Sequence, residues 1–158
     1  MHNSEGVVSA MSPATDAGQA AEELARQLLH PYLGFVLFFC SASYDLQALG
    51  QALQQCFGNV RVVGCTSAGE ITPQGYGRNC ITAMGFNHAH FSIATELIDQ
   101  VEHFSLIGAQ DMVERLVGGC RSNTLAPIKG NTFALTLLDG LSSREEMVLA
   151  ALSAALGD

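Results

Sequence analysis

The sequence predicts an α/β domain, with a mixed, partly parallel sheet and covering helices. Three observations carry this. Short apolar runs alternate with amphipathic segments of helical period. Hydrophobic residues make up 48% of the chain and charged residues 14%, a balance that fills a substantial core and argues against disorder. The length, 158 residues, is that of one domain.

The elements follow in order. Residues 1–16, "MHNSEGVVSAMSPATD", have neither a basic n-region nor an apolar h-region. They read as a flexible polar tail rather than a signal peptide. Residues 17–30 are helical, with Ala21, Leu24 and Leu28 on one face, Asp16 as cap and Pro31 as stop. "GFVLFFCS", 34–41, is a continuous apolar run and reads as a strand buried on both faces. Residues 45–57 form a second helix with Leu46, Leu49, Leu53 and Cys56 or Phe57 inward, closed by Gly58. A strand covers 60–65. Pro73, Gly75 and Gly77 mark a loop.

Residues 79–86 and 90–98 read as strands paired across the turn "NHA". A third helix covers 105–118, with Leu106, Ala109, Val113 and Leu116 inward. "TFALTLL", 132–138, is a further buried strand. The last helix covers 143–156, with Ser143 and Glu146 at capping-box spacing.

Residues 35–59 can be laid over 133–158 as an internal repeat. Phe35 meets Phe133 and Leu37 meets Leu135; with one residue inserted, Leu53 meets Leu152 and Gly58 meets Gly157. The alternative is that any strand-to-helix unit shares this pattern. In the first copy the glycine leads into another strand, whereas the second copy ends at Asp158. The expectation is a domain truncated at its C-terminus, lacking a partner strand and leaving an edge prone to self-pairing as a homo-oligomer.

Charge and cysteine usage exclude several functions. Lys+Arg 7 against Asp+Glu 15 gives a net charge of −8, with no basic run to hold nucleic acid or an anionic membrane. No apolar run reaches the ~18 residues of a membrane span. The five cysteines form no CxxC pair, which suits reduced thiols in a cytoplasmic protein and argues against a zinc site.

The candidate site is "RVVGCTSAGEIT", 61–72. Gly64, Cys65, Thr66, Ser67, Ala68 and Gly69 carry little side-chain volume before Glu70. Small residues let backbone approach a ligand closely. Successive N–H groups can also form a nest for a carboxylate, phosphate or other small polar ligand. The alternative is tight packing at a bend. Cys65 reads as a ligand contact, a haem ligand or a redox sensor with a stabilised thiolate, or as a small buried hydrophobe. Asp139, in "LLDGLSS" with Ser142, has the position of a ligand-contacting carboxylate, and equally of a turn former with Gly140.

Among the histidines, His2 lies in the tail and His30 at a helix end. His88 and His90 share a face if they lie in a strand and are merely solvated if they lie in a turn. His103 is a lone axial-ligand candidate or a surface-loop residue. No GxSxG, HExxH, P-loop or GxGxxG occurs. The chain therefore reads as a non-enzyme, with a hydrolase or transferase using Cys65 or Ser67 as the alternative.

"VVGCTSAGEI" (62–71), together with "FFCSASYDLQALGQAL" (38–53), Gly75-Tyr76-Gly77 and "ITAMGF" (81–86), resembles the N-terminal domain of the FIST family. The resemblance covers roughly 20–158, placing the sensory domain at 17–158 with no counterpart of the family's FIST C domain. It implies intracellular sensing of a small-molecule ligand, with the state passed to a histidine kinase in two-component signalling or to a cyclic-nucleotide pathway. A subgroup that binds haem and senses nitric oxide is also similar. A b-type haem needs one axial ligand, and His103, His88, His90 and Cys65 are the candidates here. The haem-free form of the reading is a sensor of a small, amino-acid-like metabolite. Under either form the ligand sits beside 64–70, with Asp139 and Ser142 at the equivalent end of the second copy.

Overall fold

β2 (Leu33–Ser41) is the strand on which the architecture turns. It runs parallel to β3 (Arg61–Ser67) and antiparallel to β6 (Ile81–Asn87), and β6 pairs in turn with β1 (Val7–Ser12). The resulting four-stranded mixed sheet has the order β1-β6-β2-β3. β4 (Glu70–Thr72) and β5 (Gly75–Gly77) form a separate two-stranded hairpin. The structure, a computed structural model, describes residues 6–99, 101–122, 124–140 and 143–157. The chain divides into two units, Met1–Phe91 and Ser92–Asp158.

In the first unit, α1 (Ala17–Leu28) and α2 (Leu46–Phe57) supply the helical cover. Asp16 accepts a hydrogen bond from the Gln19 N–H at 2.8 Å. Asp45 accepts from Gln47 and Ala48 at 3.0 and 3.1 Å. Each carboxylate satisfies donors that the first helical turn leaves without partners. Gly58, at φ +58°, ends α2 in the left-handed region. Leu24, Leu28, Leu49, Leu53 and Phe57 bury against Val36, Cys40, Ile81 and Ala83 of the sheet in one core. β2, α2 and β3 make the parallel crossover that fixes where the two strands end.

Three expectations for this unit are corrected. Residues 7–12, read as tail, are edge strand β1, with Ala10 and Ser12 buried. The buried Ser12 hydroxyl donates to Glu23 Oε2 at 2.6 Å, which removes the cost of burying a polar group. Secondly, β6 pairs with β1 and β2 rather than with 90–98, and residues 91–98 form no strand. Both edges of β6 are filled by partners far away in sequence, so the expected local hairpin has no ladder left to join. Thirdly, the strand read as 60–65 continues to Ser67, because Thr66 and Ser67 pair with Cys40 and Ser41 of β2.

The second unit holds a 3-10 turn (Val101–His103), α3 (Leu106–Arg121) and α4 (Glu145–Leu156). Ser105 caps α3, accepting from the Gly108 N–H at 3.1 Å. Ala109, Met112 and Val113 are the buried residues of α3, and Val148 is that of α4. Leu106, expected inward, is exposed in the first turn, as Leu46 is in α2. Ser143 does not cap α4; Arg144 occupies the cap position, with no side-chain cap bond. Residues 132–138, expected as a buried strand, form none, and Phe133, Leu135 and Leu137 are exposed.

Candidate functional site

The parallel pair β2–β3 ends at Ser41 and Ser67, and the residues after each strand gather at that end of the sheet. In open α/β sheets this carboxyl end is where ligands bind. Residues 64–70 lie there, but 64–67 are extended strand and so do not form the concave nest expected of them.

The small residues have local packing reasons. A Cβ on Gly64 would stand 2.2 Å from the Phe38 carbonyl oxygen and 2.6 Å from its ring. A Cβ on Gly69 would stand 2.0 Å from the Tyr76 hydroxyl, so the Tyr76 ring lies against the Gly69 backbone. The packing explanation accounts for both glycines. Thr66 and Ala68 are exposed, while Cys65 and Ser67 are half-buried.

Glu70 is different. It is only 1% exposed, and among the described residues no cation pairs with it. Its carboxylate is held by two neutral donors. The Ser67 hydroxyl lies 3.1 Å from Oε1 and 3.3 Å from the Gly69 carbonyl oxygen, sharing its proton between them. The Cys80 thiol donates to Oε2 at 3.5 Å.

The surrounding groups register both the burial and the charge. Burial pushes the Cys40 thiol up to about 11, with Glu70 and Cys65 adding to the effect. Burial pushes the Tyr44 phenol up to about 12, and the neighbouring Cys80, Cys40, Glu70 and Glu23 raise it further. Tyr44 donates to the Ala14 carbonyl. The Cys80 thiol is raised by burial first and then by Glu70.

Cys65 is raised by burial. That is the reverse of the stabilised thiolate in one of the two readings of Cys65, and of what a nucleophilic cysteine needs; it suits the other, a small buried side chain. The cluster is thus a buried carboxylate ringed by neutral thiols, a hydroxyl and a phenol. Ser67 and Glu70 were candidates in the sequence. Cys40, Tyr44 and Cys80 were missed, although Cys40 and Tyr44 flank the end of the predicted strand, where register would have pointed to them.

The remaining candidates lie elsewhere. His88 and His90 are exposed in the turn that follows β6, the solvated alternative. The His88 N–H bonds to the Tyr32 carbonyl at 2.9 Å and the His90 N–H to that of Asn87 at 3.0 Å. His103 is exposed in the 3-10 turn of the second unit, and Asp139 is exposed in the same unit. Ser142 lies outside the described residues.

Among the described residues no three His, Cys, Asp or Glu side chains are grouped to hold a metal ion. A haem needs an axial donor facing an apolar slot. The three histidines are exposed, and a concavity of about 550 Å³ in the second unit is lined by Arg121 and residues 124–129, with no histidine or cysteine.

Fold and site together define an α/β domain with a polar cluster at the carboxyl ends of its parallel strands. No helix of the described residues is long and apolar enough to cross a membrane. The sequence matches the FIST N domain over residues 34–158, which takes in β2 and everything after it. The chain belongs to the FIST family, whose domains are sensory signalling domains. Comparison with curated proteins and with solved structures returned no match.

Proposed function

We propose that this chain is a cytoplasmic sensory domain that binds a small polar metabolite at the carboxyl ends of β2 and β3. It passes its state to a separate histidine kinase or cyclic-nucleotide pathway. The observation that carries the reading is the buried Glu70 carboxyl group, held by Ser67 and Cys80 with no cation paired to it among the described residues. A buried carboxyl group is costly to accommodate, and this one lies at the end of the sheet where ligands bind. The exposed Thr66 hydroxyl and the edges of the Gly64–Glu70 run are the ligand-facing groups in this reading. Signalling is a population shift: the ligand binds one conformation better and biases the surface met by the partner.

The second reading is haem-based nitric-oxide sensing through His103, His88, His90 or Cys65. The family resemblance supports it, and the exposed imidazoles are accessible donors. A third, a hydrolase or transferase using Cys65 or Ser67, is weakened by the raised Cys65 thiol.

One pair of titrations separates the readings. Hemin is added to the protein while the visible spectrum is recorded, and amino acids are added while the thermal midpoint is recorded. A midpoint rise with an amino acid that Thr66→Ala and Glu70→Gln reduce, and no sharp Soret band, is the expected result. A stoichiometric Soret band abolished by one His→Ala change would overturn the metabolite reading in favour of haem.

A further inference from the structure

We propose that the β4–β5 hairpin is a flap over the carboxyl ends of β2 and β3, latched by Glu70. The hairpin has three residues in each strand and pairs with no strand of the main sheet, and an isolated ribbon of this size is marginal in water. Its large apolar side chains do not anchor it, since Ile71 is 83% and Tyr76 66% exposed. The one residue of the two strands that is buried is Glu70.

What holds the flap down is therefore polar: Ser67 Oγ on Oε1 and Cys80 Sγ on Oε2. Close backbone contacts add to this, with Tyr76 against Gly69 and the Cys80 sulfur against Gly77, where a Cβ would stand 2.6 Å away. Asn79 leaves the flap at φ +52°, the kind of position that absorbs a hinge rotation.

Opening the flap breaks the Glu70–Cys80 contact and uncovers the Cys80 thiol. Cys40 stays buried between β3 and β6. The two cysteines thus report separately on flap opening and on unfolding of the sheet. The inference concerns the hairpin alone and needs no ligand, so it stands or falls apart from the proposed function.

The test is alkylation of the full chain with iodoacetamide, with the rate at each cysteine read by peptide mass spectrometry. Cys80 is expected to react faster than Cys40 in the wild type. Glu70→Ala should speed Cys80 by roughly tenfold or more and move Cys40 far less, because burial is the main cause of the raised Cys40 thiol and Glu70 only adds to it. Ser67→Ala removes one latch bond but keeps the Glu70 side chain beside Cys80, so a faster rate there does not come from the loss of that neighbour. Where Glu70→Ala unfolds the protein and both cysteines react quickly, Ser67→Ala decides. Equal rates at Cys80 and Cys40 in the wild type, or a Cys80 rate unmoved by Ser67→Ala, overturns the flap.

Discussion

Phe35 and Phe133 hold the same place in two copies of one sequence pattern and meet opposite fates. Phe35 is 8% exposed in β2, while Phe133 is 81% exposed in a segment that forms no strand. Both copies go on into a helix, α2 in the first unit and α4 in the second. The first is capped by Asp45 through two N–H groups, and the second has no side-chain cap bond. The difference lies in neighbours rather than in the pattern. β2 has a ladder on each side, from β3 and β6. An apolar run nominates a strand, but the pairing partner makes it one.

The first prediction could break this comparison outright. Phe35→Ala, at the buried position of the first copy, should cost about 3–5 kcal/mol in urea unfolding. Phe133→Ala should stay within about 0.5 kcal/mol. Equal costs would mean that Phe133 is packed in solution and that the two copies are alike after all.

Glycines sharpen the same contrast. At Gly64 an added Cβ meets the Phe38 backbone oxygen, whereas at Gly118 in α3 it meets nothing within 4 Å. Gly64→Ala should therefore destabilise by about 1–3 kcal/mol. Gly118→Ala should stabilise by up to about 1 kcal/mol through helix propensity. A neutral Gly64→Ala would remove the packing account of that glycine.

Caps come next in size. Asp45→Ala should lose about 1 kcal/mol, and Ser143→Ala should leave the unfolding midpoint where it is. The reverse order would restore the capping box that the sequence suggested for the second copy.

A further effect is on pH. Cys40 ionises in the folded protein at about 11 against an ordinary value of 9.0. The folded state holds its proton longer than the unfolded state. Its contribution to stability is complete below about pH 9 and is lost as pH rises through about 11. Urea midpoints measured across that window should fall, and Cys40→Ala should flatten the slope.

Much of the first unit was legible because its signals are local. Asp16, Asp45 and Gly58 mark helix ends, and Leu24, Leu28, Leu49 and Leu53 repeat at helical spacing; these readings agree with the elements formed. Strand β1 was not legible, since six residues of mixed polarity become a strand only once β6 offers an edge. For the site, Ser67 and Glu70 stood out within the small-residue run. The partners Cys40, Tyr44 and Cys80 come from other segments, and only the sheet register brings them near the carboxylate. The meaning of the glycines was also hidden, because Gly69 is small for the sake of Tyr76, a neighbour seven residues on that folds back in the hairpin.

The central claim is that a small molecule binds at the carboxyl ends of β2 and β3, and amide NMR tests it most directly. ¹⁵N-labelled protein is titrated with the amino acid that raises its thermal midpoint, and the shifted amides are mapped. The account predicts shifts gathered at residues 40–44, 64–70 and 77–80, diminished in Glu70→Gln. Shifts centred on residues 121–129, or on His88, His90 and His103, with 64–70 unmoved, would contradict it.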